Sequence, residues 1–205
     1  MAGTMPHAIF IETNADGAGG FAAYAAELPG CAAFAADADE AANVMPRRVL
    51  AFSRWLELRG EVAPTFVGDN WYEVERADAV AGPKGLRRAA FSLDELSPSD
   101  QEFERWMTWL ELAREELADA IDRSGEVPEP ALDAIARQDA ALAAELGAPD
   151  HAVEGSALDR LYLARDHLTD ALLSAGPSGE GVRRALRLAI ADDLHLAAGL
   201  RGAGD

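Results

Sequence analysis

Pro29-Gly30-Cys31-Ala32-Ala33-Phe34-Ala35-Ala36-Asp37-Ala38-Asp39-Glu40 is the stretch on which the fold turns. Pro29-Gly30 is a tight turn and Cys31 to Ala36 a short strand. Asp37, with Glu40 three residues on, is a capping-box pattern that opens a helix. Upstream, His7-Ala8-Ile9-Phe10-Ile11-Glu12 is apolar and partly β-branched, as a buried strand is. Gly17, Gly19 and Gly20 then supply a hairpin turn, and Phe21 to Leu28 a second strand. Downstream, Val44, Val49, Phe52, Trp55 and Leu56 make the apolar face of the helix, which Gly60 ends and which Pro46 is expected to kink or delay. Trp71 to Glu75 closes a βββαβ order.

The remainder reads as helix. Ser99-Asp100-Gln101-Glu102 is a second capping box, and Phe103, Trp106, Leu110, Ala113, Leu117 and Ile121 follow at helical spacing up to Gly125. Three more amphipathic helices are predicted, from about Pro130 to Leu146, Ser156 to Leu173 and Ser178 to Leu200. Four such helices with short connections make a four-helix bundle. The fold class is therefore α+β, with an α+β domain over 1–80, a linker over 81–97 around Gly82-Pro83-Lys84-Gly85, and a four-helix bundle over 98–205.

Charge divides the chain at the same place. Residues 1–90 carry 12 acidic and 8 basic side chains, and residues 91–205 carry 24 and 10. The net charge of -18 over 205 residues argues against a nucleic-acid or anionic-membrane binder. A single cysteine, Cys31, excludes an internal disulfide and suits a reducing cytoplasm. No apolar run reaches the roughly 20 residues of a membrane span, and the N-terminus lacks the charged and apolar regions of a secretory signal.

The first half resembles the HicB-like antitoxin domain through Ala26-Glu27-Leu28-Pro29-Gly30-Cys31, Ala36-Asp37-Ala38-Asp39-Glu40-Ala41 and Met45-Pro46-Arg47-Arg48-Val49. The likeness implies binding to a small RNA-cleaving toxin, and hence an antitoxin-like partner role. No helix-turn-helix or basic ribbon accompanies it, so operon autorepression is not implied. The second half looks like a DinB-like bundle, a fold that in many members holds a divalent metal, Zn or Ni, on three histidines and acts as a thiol transferase or isomerase. Where that family has its helix-two histidine, this chain has Ala134, and where it has His-x-x-x-His it reads Ala191-Asp192-Asp193-Leu194-His195. The candidate ligands that remain are His195, Asp192, His167 and Asp139.

A first-row ion needs about three converging ligands. With alanine at two family positions, no metal or other cofactor is expected. Asp193 shares a helix face with Val182, Leu186, Ala189, Leu196 and Leu200, and a carboxylate there needs a partner. Arg165, among Leu158, Leu161, Leu168 and Leu172, is the expected one. Gly17, Gly19 and Gly20 precede a strand and lack a following Lys-Ser/Thr, so they form a turn and no phosphate loop. Cys31 is expected as a buried core residue rather than a nucleophile. Trp106 and Trp109 cannot share one core face equally, which would place one at a contact. These readings converge on a bacterial, cytoplasmic, non-enzymatic interaction protein. It would bind a second copy of itself, through the bundle or the open sheet edge, or another protein.

Overall fold

A computed structural model describes residues 7–15, 19–63, 71–82, 87–125, 129–149 and 154–202. The chain is mixed α+β and divides into two compact units. The first takes the described residues up to Ala81 together with Arg87–Leu93. The second takes Gly82 and the described residues from Asp94 onward. Gly17 and the Pro83-Lys84-Gly85 punctuation lie outside the described residues.

In the first unit, β1 (His7–Thr13) pairs antiparallel with β2 (Phe21–Ala25), and β2 with β3 (Ala32–Ala35). Helix α1 (Ala38–Leu58) then crosses back to β4 (Trp71–Asp78), which runs parallel to β1 and gives the order β3-β2-β1-β4. A parallel neighbour requires such a crossover, and α1 packs on β1, β2 and β3. The Asp37 side chain accepts from the Glu40 amide at 2.7 Å, so α1 begins where the capping signal lies. Pro46 does not delay it, since the helix runs unbroken from Ala38 through Pro46 to Leu58. β2 is shorter than the sequence predicts. The Cys31 amide bonds the Leu28 carbonyl at 2.9 Å, and Gly30 takes φ 91°, so the chain turns after Ala25 with Leu28 buried in the turn.

β1 is buried on both faces: Ile9, Phe10, Ile11 and Glu12 are all core residues. Helix α1 covers one face. Phe10 and Glu12 share the other, because side chains alternate along a strand. The segment read as linker covers that face. Phe91 sits 5.2 Å from the Phe10 ring and 6.0 Å from Tyr24, and the Ala89 amide donates to Glu12 at 2.9 Å. The same segment holds β6 (Arg87–Arg88), paired with β5 (Val80–Ala81). Much of 81–97 is thus integral to the first unit.

In the second unit α2 (Asp100–Ser124), α3 (Glu129–Glu145), α4 (Ala157–Ala175) and α5 (Val182–Gly202) enclose one core. Leu117, Ala120, Leu132, Ile135, Ala136, Leu161, Ala164 and Ala197 bring all four helices into it. Reciprocal capping boxes open α2 (Ser99 with Glu102) and α4 (Ser156 with Asp159). α5 begins at Val182, later than the sequence predicts. Gly181 at φ 79° holds the preceding residues in a turn. Trp106 and Trp109 are both buried, so neither marks a contact. α2 carries buried side chains at 103, 106, 107, 109, 110 and 113, a stripe broad enough for both indoles. Among the described residues no helix is long and apolar enough to cross a membrane.

Candidate functional site

The polar feature of the helical unit is a charge cluster to which each of its helices contributes one residue: Arg114 from α2, Asp139 from α3, Arg165 from α4 and Asp193 from α5. Leu117, Leu142, Leu161, Leu168 and Leu186, on the same four helices, are all fully buried. That packing carries the side chains of Asp139, Arg165 and Asp193 out of water with it. Arg165 donates from Nη2 to the Asp193 carboxylate, and its Nε stands 3.9 Å from Asp139. Arg114 is half-buried. It donates to the Arg165 carbonyl at 3.1 Å and to the Thr169 hydroxyl, tying α2 to α4. Beside the cluster, Gln138 donates to the buried Asp192.

Burial governs the protonation of these groups. Loss of solvent pushes the Asp139 carboxyl up to about 7, and the neighbouring Asp193 carboxylate pushes the same way against Arg114 and Arg165. Asp193 is also raised by burial, opposed by Arg165 and Arg114. The Arg114 guanidinium is drawn below its ordinary value by burial, opposed by Asp139 and Asp193. With both aspartates ionised the four groups sum to zero charge, so the core is electrically balanced.

The sequence-derived candidates are only partly brought together. Asp139 and Asp192 are buried in the interior, while His195 is exposed on α5. His167 is half-buried on α4, with its Nε2 3.0 Å from the Pro149 carbonyl. Ala134 is exposed and Ala191 buried, so these family positions share no interior face with His195. A divalent ion does not fit this donor set. The guanidinium of Arg165 already supplies positive charge to Asp193 and Asp139, and an ion there would be repelled by it. Among the described residues no three His, Cys, Asp or Glu side chains stand close enough to share an ion. The sequence reading paired Arg165 with Asp193 but did not associate Asp139 and Arg114 with them. Asp139 falls on the buried stripe of Leu132, Ile135 and Leu142, and that spacing was the available signal.

A second buried ion pair lies in the same unit. Asp94, in the turn Ser92–Glu95, receives Arg187 through Nε at 3.1 Å and Nη2 at 2.6 Å. Arg183 donates to the Leu96 carbonyl at 3.0 Å and lies 4.6 Å over the Trp106 ring. In the first unit Cys31 is buried, and burial pushes its thiol up to about 12, so no thiolate forms near neutral pH. His7 stacks on Trp71 at 4.7 Å. No family model, no curated protein and no solved structure matches this chain.

Proposed function

We propose that this protein acts by binding, with no catalytic centre of its own: a HicB-like α+β unit joined to a DinB-like four-helix unit in which ion pairing has replaced the metal. The observation that carries the reading is the Arg165 guanidinium among Asp193 and Asp139. A buried cation of this kind satisfies carboxylates without offering an open coordination position to substrate, which is what a catalytic metal must keep. A structural ion pair also explains why the interior carries aspartates beside arginines rather than histidines.

The test is metal content after purification without a histidine tag, followed by dialysis against Zn or Ni. The expected result is far below one equivalent, with a melting temperature unmoved by chelator, since an ion bound only to the native state would raise it. Stoichiometric metal, lost on His195→Ala or Asp139→Ala, would overturn the reading in favour of a metal-dependent thiol transferase.

A further inference from the structure

Helix α1 presents Arg47, Arg48, Leu50, Ala51, Arg54 and Leu58 to solvent. Leu50 is 72% and Leu58 78% exposed. At 100° per residue, Arg47, Ala51, Arg54 and Leu58 form one row, with Leu50 beside it. Arg47, Arg48 and Arg54 make no ion pair among the described residues. The chain has twice as many acids as bases, 36 against 18. Three unpaired arginines interleaved with leucines on one helix face are therefore a local reversal of its charge.

Helix α2 presents the complement. Glu104, Glu111, Glu115, Asp119 and Asp122 are exposed and recur at intervals of three, four or seven, so they too form one row. Half-buried Thr108 and Ala118 interrupt it with small side chains. Asp119 pairs with Arg123 at 3.3 Å, whereas Glu104, Glu111 and Asp122 make no ion pair among the described residues. The pitches agree. Arg47 and Arg54 are seven residues apart, roughly 10.5 Å along the axis at about 1.5 Å per residue. Glu104 and Glu111, and Glu115 and Asp122, have the same separation.

We propose that the α1 face of one copy of this chain docks on the α2 face of a second copy, reciprocally, so that a two-fold pair buries both surfaces. The inference rests on the reading of the chain as an interaction protein and names its partner. The leucines would supply apolar burial against Thr108 and Ala118. The arginines would set register and make association salt-sensitive, because exposed ion pairs steer more than they stabilise. The open sheet edge is the weaker surface. β4 exposes Tyr72 and Val74, but its register with β1 slips between Glu73 and Glu75, and a bulge of this kind disfavours edge pairing.

Sedimentation of the full chain at about 50 mM and about 500 mM NaCl tests the proposal, since the Debye length shrinks severalfold between them. The wild type should pair at low salt and dissociate at high salt. Arg47→Glu with Arg54→Glu should be monomeric, as should Glu104→Arg with Glu111→Arg. An equimolar mixture of the two variants should recover the pair, because each then meets opposite charge. Unchanged circular dichroism and melting would show that both variants fold, as exposed substitutions allow. A monomeric wild type at low salt, or a mixture that fails to associate, would overturn the proposal. So would binding to phosphatidylserine vesicles or duplex DNA that is lost only in the arginine variant, since that assigns the face to another partner. Stoichiometric metal in the same samples would instead overturn the interaction reading itself.

Discussion

Arg165 on α4 donates to the carboxylate of Asp193 on α5, and both side chains are almost wholly out of water. Removing two charges from water costs several kcal/mol each, and their attraction repays this only with good geometry and further partners. Here the Arg165 guanidinium also faces Asp139, and Arg114 bonds the Arg165 carbonyl. The pair is one link in a network that joins all four helices.

Breaking that network on one side should be severe. Arg165→Met leaves two buried carboxylates uncompensated and should destabilise the helical unit by about 3–5 kcal/mol. Combining it with Asp193→Leu and Asp139→Asn removes the charges together, and should recover most of the loss or exceed wild-type stability. Urea unfolding followed by helical circular dichroism distinguishes the two. A single variant as stable as the triple would show that the network carries no energetic coupling.

The raised Asp139 carboxyl has a definite sign in pH. Its folded value of about 7 lies above the ordinary aspartate value of about 4, so the native state keeps a proton that the unfolded chain has released. Stability from that proton is full below about pH 4 and is lost as pH rises to about 7, at up to about 1.4 kcal/mol per unit. Asp139→Asn imitates the protonated side chain, so its melting temperature should gain on wild type as pH rises across this window. Parallel melting curves from about pH 4 to pH 8 would assign the proton elsewhere.

Glu12 ties the stretch around Ala89 and Phe91 to the sheet. It accepts the Tyr24 hydroxyl at 2.7 Å and the Ala89 amide at 2.9 Å within a buried face. Glu12→Ala leaves both donors unsatisfied, at about 1–3 kcal/mol each, whereas Tyr24→Phe removes one partner only and should cost about 1 kcal/mol. Hydrogen exchange reads the effect directly, because the Ala89 amide should lose protection in Glu12→Ala and keep it in Tyr24→Phe. Equal protection in both variants would mean that the Ala89 amide is shielded independently of Glu12.

Local chemistry made much of the architecture legible. Asp37, Ser99 and Ser156 mark helix starts because a side-chain oxygen satisfies an orphan amide within three residues, whatever the rest of the chain does. The Arg165–Asp193 pair could also be read, since each residue interrupts an apolar stripe and a buried charge demands a counter-charge. The extents of β2 and α5 could not. In each, local geometry centred on a glycine, at Gly30 and Gly181, outweighed an apolar run that would equally suit a longer element.

The sequence by itself determined the order of elements, the helix N-termini and the presence of ion pairing inside the helical unit, because these depend on contacts a few residues long or on the cost of an isolated buried charge. Tertiary structure alone decided that His195 is exposed while Asp139 is buried, and that Phe91 packs on Phe10. It also decided that Arg114 and Asp139 complete the cluster. Which face of a helix meets which neighbour depends on the axial rotation and register of several helices at once. Residues 53 positions apart in the chain, such as Asp139 and Asp192, carry no local signal of that shared interior.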